Sequence, residues 1–91
     1  MTDLILTDEG SKLTAQVEGH ELKIDYSWER PGVMRVDFVE VPDALGGRGL
    51  GTALVGALVE KARAGDFRLV PICGFAKAQL ARHPEWQDVL D

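Results

Sequence analysis

Leu45-Gly46-Gly47-Arg48-Gly49-Leu50-Gly51-Thr52 is the stretch of this 91-residue chain best suited to chemistry. It lies between a β-branched run, residues 33–41, and an apolar run of helical spacing, residues 52–64. The start of a helix offers unpaired N–H groups and partial positive charge. Glycines let phosphate oxygens close on that backbone, and Arg48 adds a charge-assisted donor. Two standard phosphate loops fail on spacing. A P-loop needs lysine after its last glycine, where this chain has Thr52. A G-x-G-x-x-G pattern begun at Gly47 and Gly49 needs a third glycine, and Thr52 again occupies the place. The plainer alternative is a flexible turn with a helix cap, although four glycines in six positions exceed what a turn requires.

Cys73 ends a second apolar run, residues 67–72. Its thiolate could act as a nucleophile; equally, a free cysteine often serves as a small buried apolar residue. A lone cysteine makes no internal disulfide and no metal cluster, so no metal site is expected. In Arg82-His83-Pro84-Glu85-Trp86, His83 could be a general base near neutral pH or the cap of a helix that Pro84 stops. Lys77 and Arg82 could meet phosphates or solvent. Asp25, Glu29, Asp37 and Glu40 could draw a cationic amine or form an ordinary solvated sheet face.

These residues need elements to position them. Residues 12–18 alternate, as do residues 21–29, with Gly19-His20 as the expected turn between them. Tyr26 and Trp28 share the phase of Leu22 and Ile24 and read as core. Arg30-Pro31-Gly32 is a second turn, followed by a third strand over residues 33–41. In that strand Met34, Val36 and Phe38 share one phase and Val39 and Val41 the other. The break implies either a β-bulge near residues 38–40 or burial on both faces. A helix over residues 52–64 stops at Gly65. A strand over residues 67–72 lies parallel to the third, and a short helix covers residues 75–82. Residues 4–6 could add a first strand or an arm. The order is β-β-β-α-β-α, an α/β (α+β) fold on a mostly antiparallel sheet.

Composition fits one domain: 45% hydrophobic and 27% charged residues. No apolar run approaches the roughly 20 residues of a membrane span. Residues 1–4 lack the basic and apolar regions of a secretion signal, and a single cysteine suits a reducing compartment, so a cytoplasmic location is expected. The net charge of −5 argues against general nucleic-acid binding. Charge is also segregated. Residues 1–45 carry ten acids and four bases, whereas residues 46–82 carry six bases and two acids. A basic block that opens with the glycine turn suits an anionic ligand; chance segregation is the bland alternative.

Strand, glycine-rich turn and amphipathic helix, in that order, resemble the acetyl-coenzyme A signature of the GCN5-related N-acetyltransferases, Arg/Gln-x-x-Gly-x-Gly/Ala. Gly49 and Gly51 match it. Gly46 stands where Arg or Gln is usual, which shifts phosphate binding toward the backbone and Arg48. The chain is more closely similar to the very small members, through Ala62-Arg63, Val70-Pro71-Ile72-Cys73-Gly74-Phe75 and Arg82-His83-Pro84-Glu85-Trp86. Gly74 replaces a proline found in many relatives.

The resemblance covers nearly the whole chain. It implies a truncated fold of that family with four to five strands and two helices, forming a single acetyl-CoA-binding domain over residues 1–91. It implies an N-acetyltransferase that uses acetyl-CoA and an unidentified amine acceptor, acting as a monomer or homodimer. The alternatives are a coenzyme A-binding module with little or no turnover, and an interaction domain that keeps only the fold. The cofactor would lie where the third and fourth strands splay, its pyrophosphate on Gly46, Gly47, Arg48, Gly49, Leu50, Gly51 and Thr52. A bulge at Val39 or Val41 would free an N–H for the thioester carbonyl. Cys73 would accept acetyl or orient the acceptor, His83 would be a candidate base, and Lys77 and Arg82 would be candidate phosphate ligands. The tyrosine that full-length relatives often use as general acid has no counterpart, since Tyr26 lies on the second strand.

Overall fold

The alternating segments become one five-stranded sheet in the computed structural model, which describes residues 4–91. Residues 1–3 of the stretch considered above as a signal segment lie outside the described residues. Strands β1 (Thr7–Asp8), β2 (Lys12–Val17), β3 (His20–Arg30) and β4 (Val33–Glu40) form an antiparallel meander in sequence order. Helix α1 (Leu50–Gly65) then carries the chain back, so that β5 (Arg68–Pro71) pairs parallel with β4. Helix α2 (Gly74–Arg82) and a 3₁₀ segment (Pro84–Val89) complete the fold. The added first strand is Thr7–Asp8; residues 4–6 are not strand, and Leu4 and Leu6 pack against the core.

The core gathers the inward face of the sheet and one stripe of each helix. Leu13, Leu22, Ile24, Met34, Val36 and Leu69 meet Leu54, Val55, Leu58, Val59 and Ala62 of α1, with Ala76 and Leu80 from α2. Tyr26 is core as expected, but Trp28 is half exposed, edge-on to Phe67 and Tyr26. It lies next to the Pro31-Gly32 turn that joins β3 to β4, at the end of the sheet.

Several boundaries move by one or two residues. The β2–β3 turn is Glu18-Gly19, both at positive φ, rather than Gly19-His20. Such a two-residue turn matches the twist of its strands. Helix α1 begins at Leu50, and Asp66, not Gly65, takes the left-handed cap at φ 55°. Gly65 has a packing role, since a Cβ there would sit 2.9 Å from the Phe67 ring.

The phase break in β4 is a bulge, placed earlier than residues 38–40. Asp25 faces Phe38 while Tyr26 faces Val36, which leaves Asp37 as the extra residue. Phe38 is thereby turned outward and half exposed, and Val39 and Val41 turn inward against the core. Beyond this point the parallel pair opens. Register ends at Val36–Pro71, and the N–H groups of Ile72 and Cys73 both donate to the Val36 carbonyl at 3.0 Å. Strand β4 continues to Glu40 without β5 beside it.

Candidate functional site

The glycine turn sits at the mouth of that opening. A 3₁₀ turn (Asp43–Leu45) leads into it, and Leu45 is buried as its anchor. Gly47 and Gly49 adopt φ 76° and 73°, a conformation that suits glycine, and Gly49 is the N-cap of α1. A Cβ at either would meet open space, so the strain, not crowding, selects glycine there. Gly51 differs: a Cβ would lie 2.6 Å from the tip of the Phe75 ring.

No hydrogen-bond acceptor among the described residues meets the N–H groups of residues 47–52; the first pairing of α1 is Ala53 N–H to Gly49 carbonyl at 3.1 Å. No side chain caps this end either. Thr52 uses its hydroxyl elsewhere, donating to Gln79 Oε1 at 2.9 Å, which ties α1 to α2. The result is a run of outward amides at the positive end of a 16-residue helix.

Two spaces adjoin this run. A hollow of about 330 Å³ is lined by Gly46, Gly47, Gly51, Val41 and Phe75. A groove of about 730 Å³ follows α1 toward His83 and Trp86, with Arg48 at its near end. Gly49, Leu50 and Thr52 border both, and the Leu50 side chain is otherwise buried in the core. Arg48 hydrogen-bonds Glu18 at the β2–β3 turn, and that bond holds the Glu18 carboxyl below its usual range.

The remaining candidates are spread along α2. Cys73 is its N-cap, half-buried, at the point where β5 leaves β4. His83 is its C-cap, with Nδ1 2.7 Å from the Gln79 carbonyl oxygen and its ring stacked on Trp86 at 3.9 Å. A nine-residue helix separates the two by about 15 Å along its axis, so they do not serve one reacting atom. Lys77 and Arg82 are exposed and border neither space. The acidic sheet face is largely neutralised. Asp25 and Glu40 share Lys23, Asp37 is held by Arg35 and Ser27, and Glu29 pairs with Arg30. Phe75 is the site residue that sequence reasoning missed as a lining group; its only signal is a glycine 24 positions earlier.

A family model described as GCN5-related N-acetyl-transferase matches residues 12–89. The chain belongs to that family. GCN5-related N-acetyltransferases carry out acyl transfer and generally use acetyl-CoA with an acceptor. The chain is also similar to a Staphylococcus aureus protein, solved by NMR and provisionally named a GCN5-like N-acetyltransferase. The TM-score is 0.76 at 30% identity, over 100% of this chain and 91% of that one. Curated proteins give no match. Among the described residues, no helix is long and apolar enough to cross a membrane.

Proposed function

We propose that this chain is an acetyl-CoA-dependent N-acetyltransferase acting on an amine. The observation that carries this reading is the run of unpartnered amides at residues 47–52 beside the strand edge that β5 leaves open. The amides suit a diphosphate, backed by Arg48, which would exchange Glu18 for the ligand. The hollow between Val41 and Phe75 leads from there toward the open edge. On a strand, residues that share a face also share the edge their peptide groups point to. The Val36 carbonyl points to β5, so the bulge that turns Val39 and Val41 inward sets their peptide groups toward the vacated edge. An N–H there would stabilise the oxyanion formed when an amine adds to the thioester carbonyl. Cys73 stands at the same opening and either takes the acetyl group or orients the amine. His83, at the far end of α2, has no part in this step. The setting is cytoplasmic, where the free thiol stays reduced.

A second reading keeps binding without fast turnover. It is favoured by the outer sheet face, which no helix among the described residues covers and whose carboxylates are already paired. Release of free coenzyme A from acetyl-CoA, followed with polyamines, amino acids and lysine peptides, separates the two. Acceptor-dependent release supports transfer. Tight binding with no release beyond background supports the module, and acetylation of the chain's own lysines is checked by mass.

A further inference from the structure

Among the described residues, Phe38 is the one large apolar side chain that β3 and β4 turn to the outer face of the sheet. Its neighbours on that face are polar: Lys23, Asp25, Ser27, Arg35, Asp37 and Glu40. The bulge at Asp37 sends Phe38 outward and leaves it 49% exposed. We propose that Phe38, with Ile72, docks the acceptor, and that the acceptor is a lysine of a peptide or protein with an apolar residue beside it. The inference rests on the acyl-transfer reading of the site.

Ile72 completes the patch. Side chains alternate along a strand, so the phase that buries Leu69 turns Val70 and Ile72 to the outer face. Pro71 pairs with Val36, which sets Ile72 beside Asp37 and one position short of Phe38. Ile72 is 56% exposed. Two large apolar side chains therefore stand together on an uncovered face, where single ones would need no explanation. They flank the opening at which β5 leaves β4.

The opening has two sides. Phe75 and Val41 line the hollow that leads to it from the glycine turn, on the side of the helices. A thioester held by that turn would arrive from there, so the outer side is left for the amine. Neither the hollow nor the groove is lined by an outward residue of β3 or β4. Small molecules are bound in concave sites, and a flat apolar patch suits a peptide or a protein surface better.

Charge selects the kind of peptide. Asp25 lies directly opposite Phe38, and Glu40 directly opposite Lys23. Lys23 serves both carboxylates, at 3.5 and 3.6 Å, too long for close hydrogen bonds. Arg35 is already held by Asp37. One ammonium against two carboxylates leaves negative charge over beside the patch, which favours a cationic side chain. Exposed pairs contribute little affinity, so charge steers the lysine while apolar contact holds its neighbour. The docked ammonium gives one proton to water, and the neutral amine adds to the thioester carbonyl. The C–S bond then breaks, and the departing thiolate takes the second proton as the amide forms.

The test uses three blocked peptides that present one lysine between two leucines, two glycines or two aspartates. Their affinities for the protein with coenzyme A in excess are measured by calorimetry. Their turnover is followed as acceptor-dependent release of coenzyme A from acetyl-CoA. The wild type should prefer the leucine peptide to the glycine peptide by about tenfold, in affinity and in KM rather than kcat, as covering one apolar side chain predicts. The aspartate peptide should rank last, and Glu40→Gln should narrow its gap from the glycine peptide. Phe38→Ser should shrink the leucine preference to within about threefold while acetyl-CoA affinity holds, and Phe38→Leu should keep most of it. Equal binding of the leucine and glycine peptides by the wild type overturns the proposal, as does a preference that survives Phe38→Ser. An equal loss for all three peptides marks a packing role and overturns it as well; Ile72→Ser is read the same way if Phe38→Ser does not fold. Preferential binding without release overturns the transfer reading and the acceptor role with it, whereas release without the preference overturns this inference alone.

Discussion

Under the proposed function, Gly49 would serve binding and Cys73 the chemistry. Gly49 stands at φ 73° with open space where a Cβ would project, the direction from which a diphosphate would approach. Gly49→Glu adds strain and an anion at that point. It is expected to weaken acetyl-CoA binding by about tenfold to a hundredfold in calorimetry, as expected for losing charge-assisted bonds. The loss should exceed any fall in thermal stability, because the glutamate is exposed. Cys73→Ala is expected to do the reverse, lowering turnover while acetyl-CoA affinity holds. Mass spectrometry after incubation with acetyl-CoA then separates its roles. An acetyl adduct on the wild type that is absent from the variant identifies a nucleophile, and full activity without an adduct returns Cys73 to a packing role. At this scale the sequence reveals residue type but not partner. It marks Arg48 as a candidate hydrogen-bond donor to a phosphate and leaves unseen that Glu18, thirty positions earlier, holds it.

Strand β1 has only two residues and is fixed to β3 by one side-chain bond. The Tyr26 hydroxyl donates to Asp8 Oδ1 at 2.6 Å. Burial, and then this bond, push the Tyr26 phenol up to about 12, while the bond holds Asp8 below its usual range. The signs give a window. Asp8 contributes only while ionised, so its share is lost as pH falls through its lowered value; Tyr26 contributes only while neutral, so its share is lost as pH rises through about 12. Absorbance titration of this single tyrosine should place its midpoint near 12 rather than 10. Asp8→Asn should lower it only part of the way, because burial remains. A midpoint at the ordinary value would mean that β1 is not seated. Periodicity suffices to locate the meander, α1 and the parallel return, since each buries one regular face. It does not fix the bulge, because alternation shows that phase changes but not where. The residue that absorbs the change, Asp37, is fixed by pairing with β3. Trp28 likewise has the phase of a core residue but stands beside a turn, where the core ends.

The whole molecule is one sheet with both helices gathered into one core and its other face carrying paired charges. A groove along α1 and a hollow past Phe75 meet at the glycine turn, beside the edge of β4 that β5 leaves open. Under the proposed function the amine would have an open approach rather than an enclosed pocket, which suits a broad or macromolecular acceptor better than one small molecule. The order of elements and the glycine turn were legible in the sequence because both are local. The groove and the hollow were not, because they are shaped by Phe75 against Gly51 and Trp86 against Gly56, contacts that only the packing of α2 and the last 3₁₀ segment on α1 creates. If amides at residues 47–52 hold a diphosphate beside the opened strands, the backbone amide resonances of the labelled protein report it during titration with acetyl-CoA. The largest saturable shifts are expected at residues 47–52, joined by Val39 and Val41 on the open edge. Saturation with those amides unmoved, or no binding at millimolar acetyl-CoA, would contradict diphosphate binding at the turn.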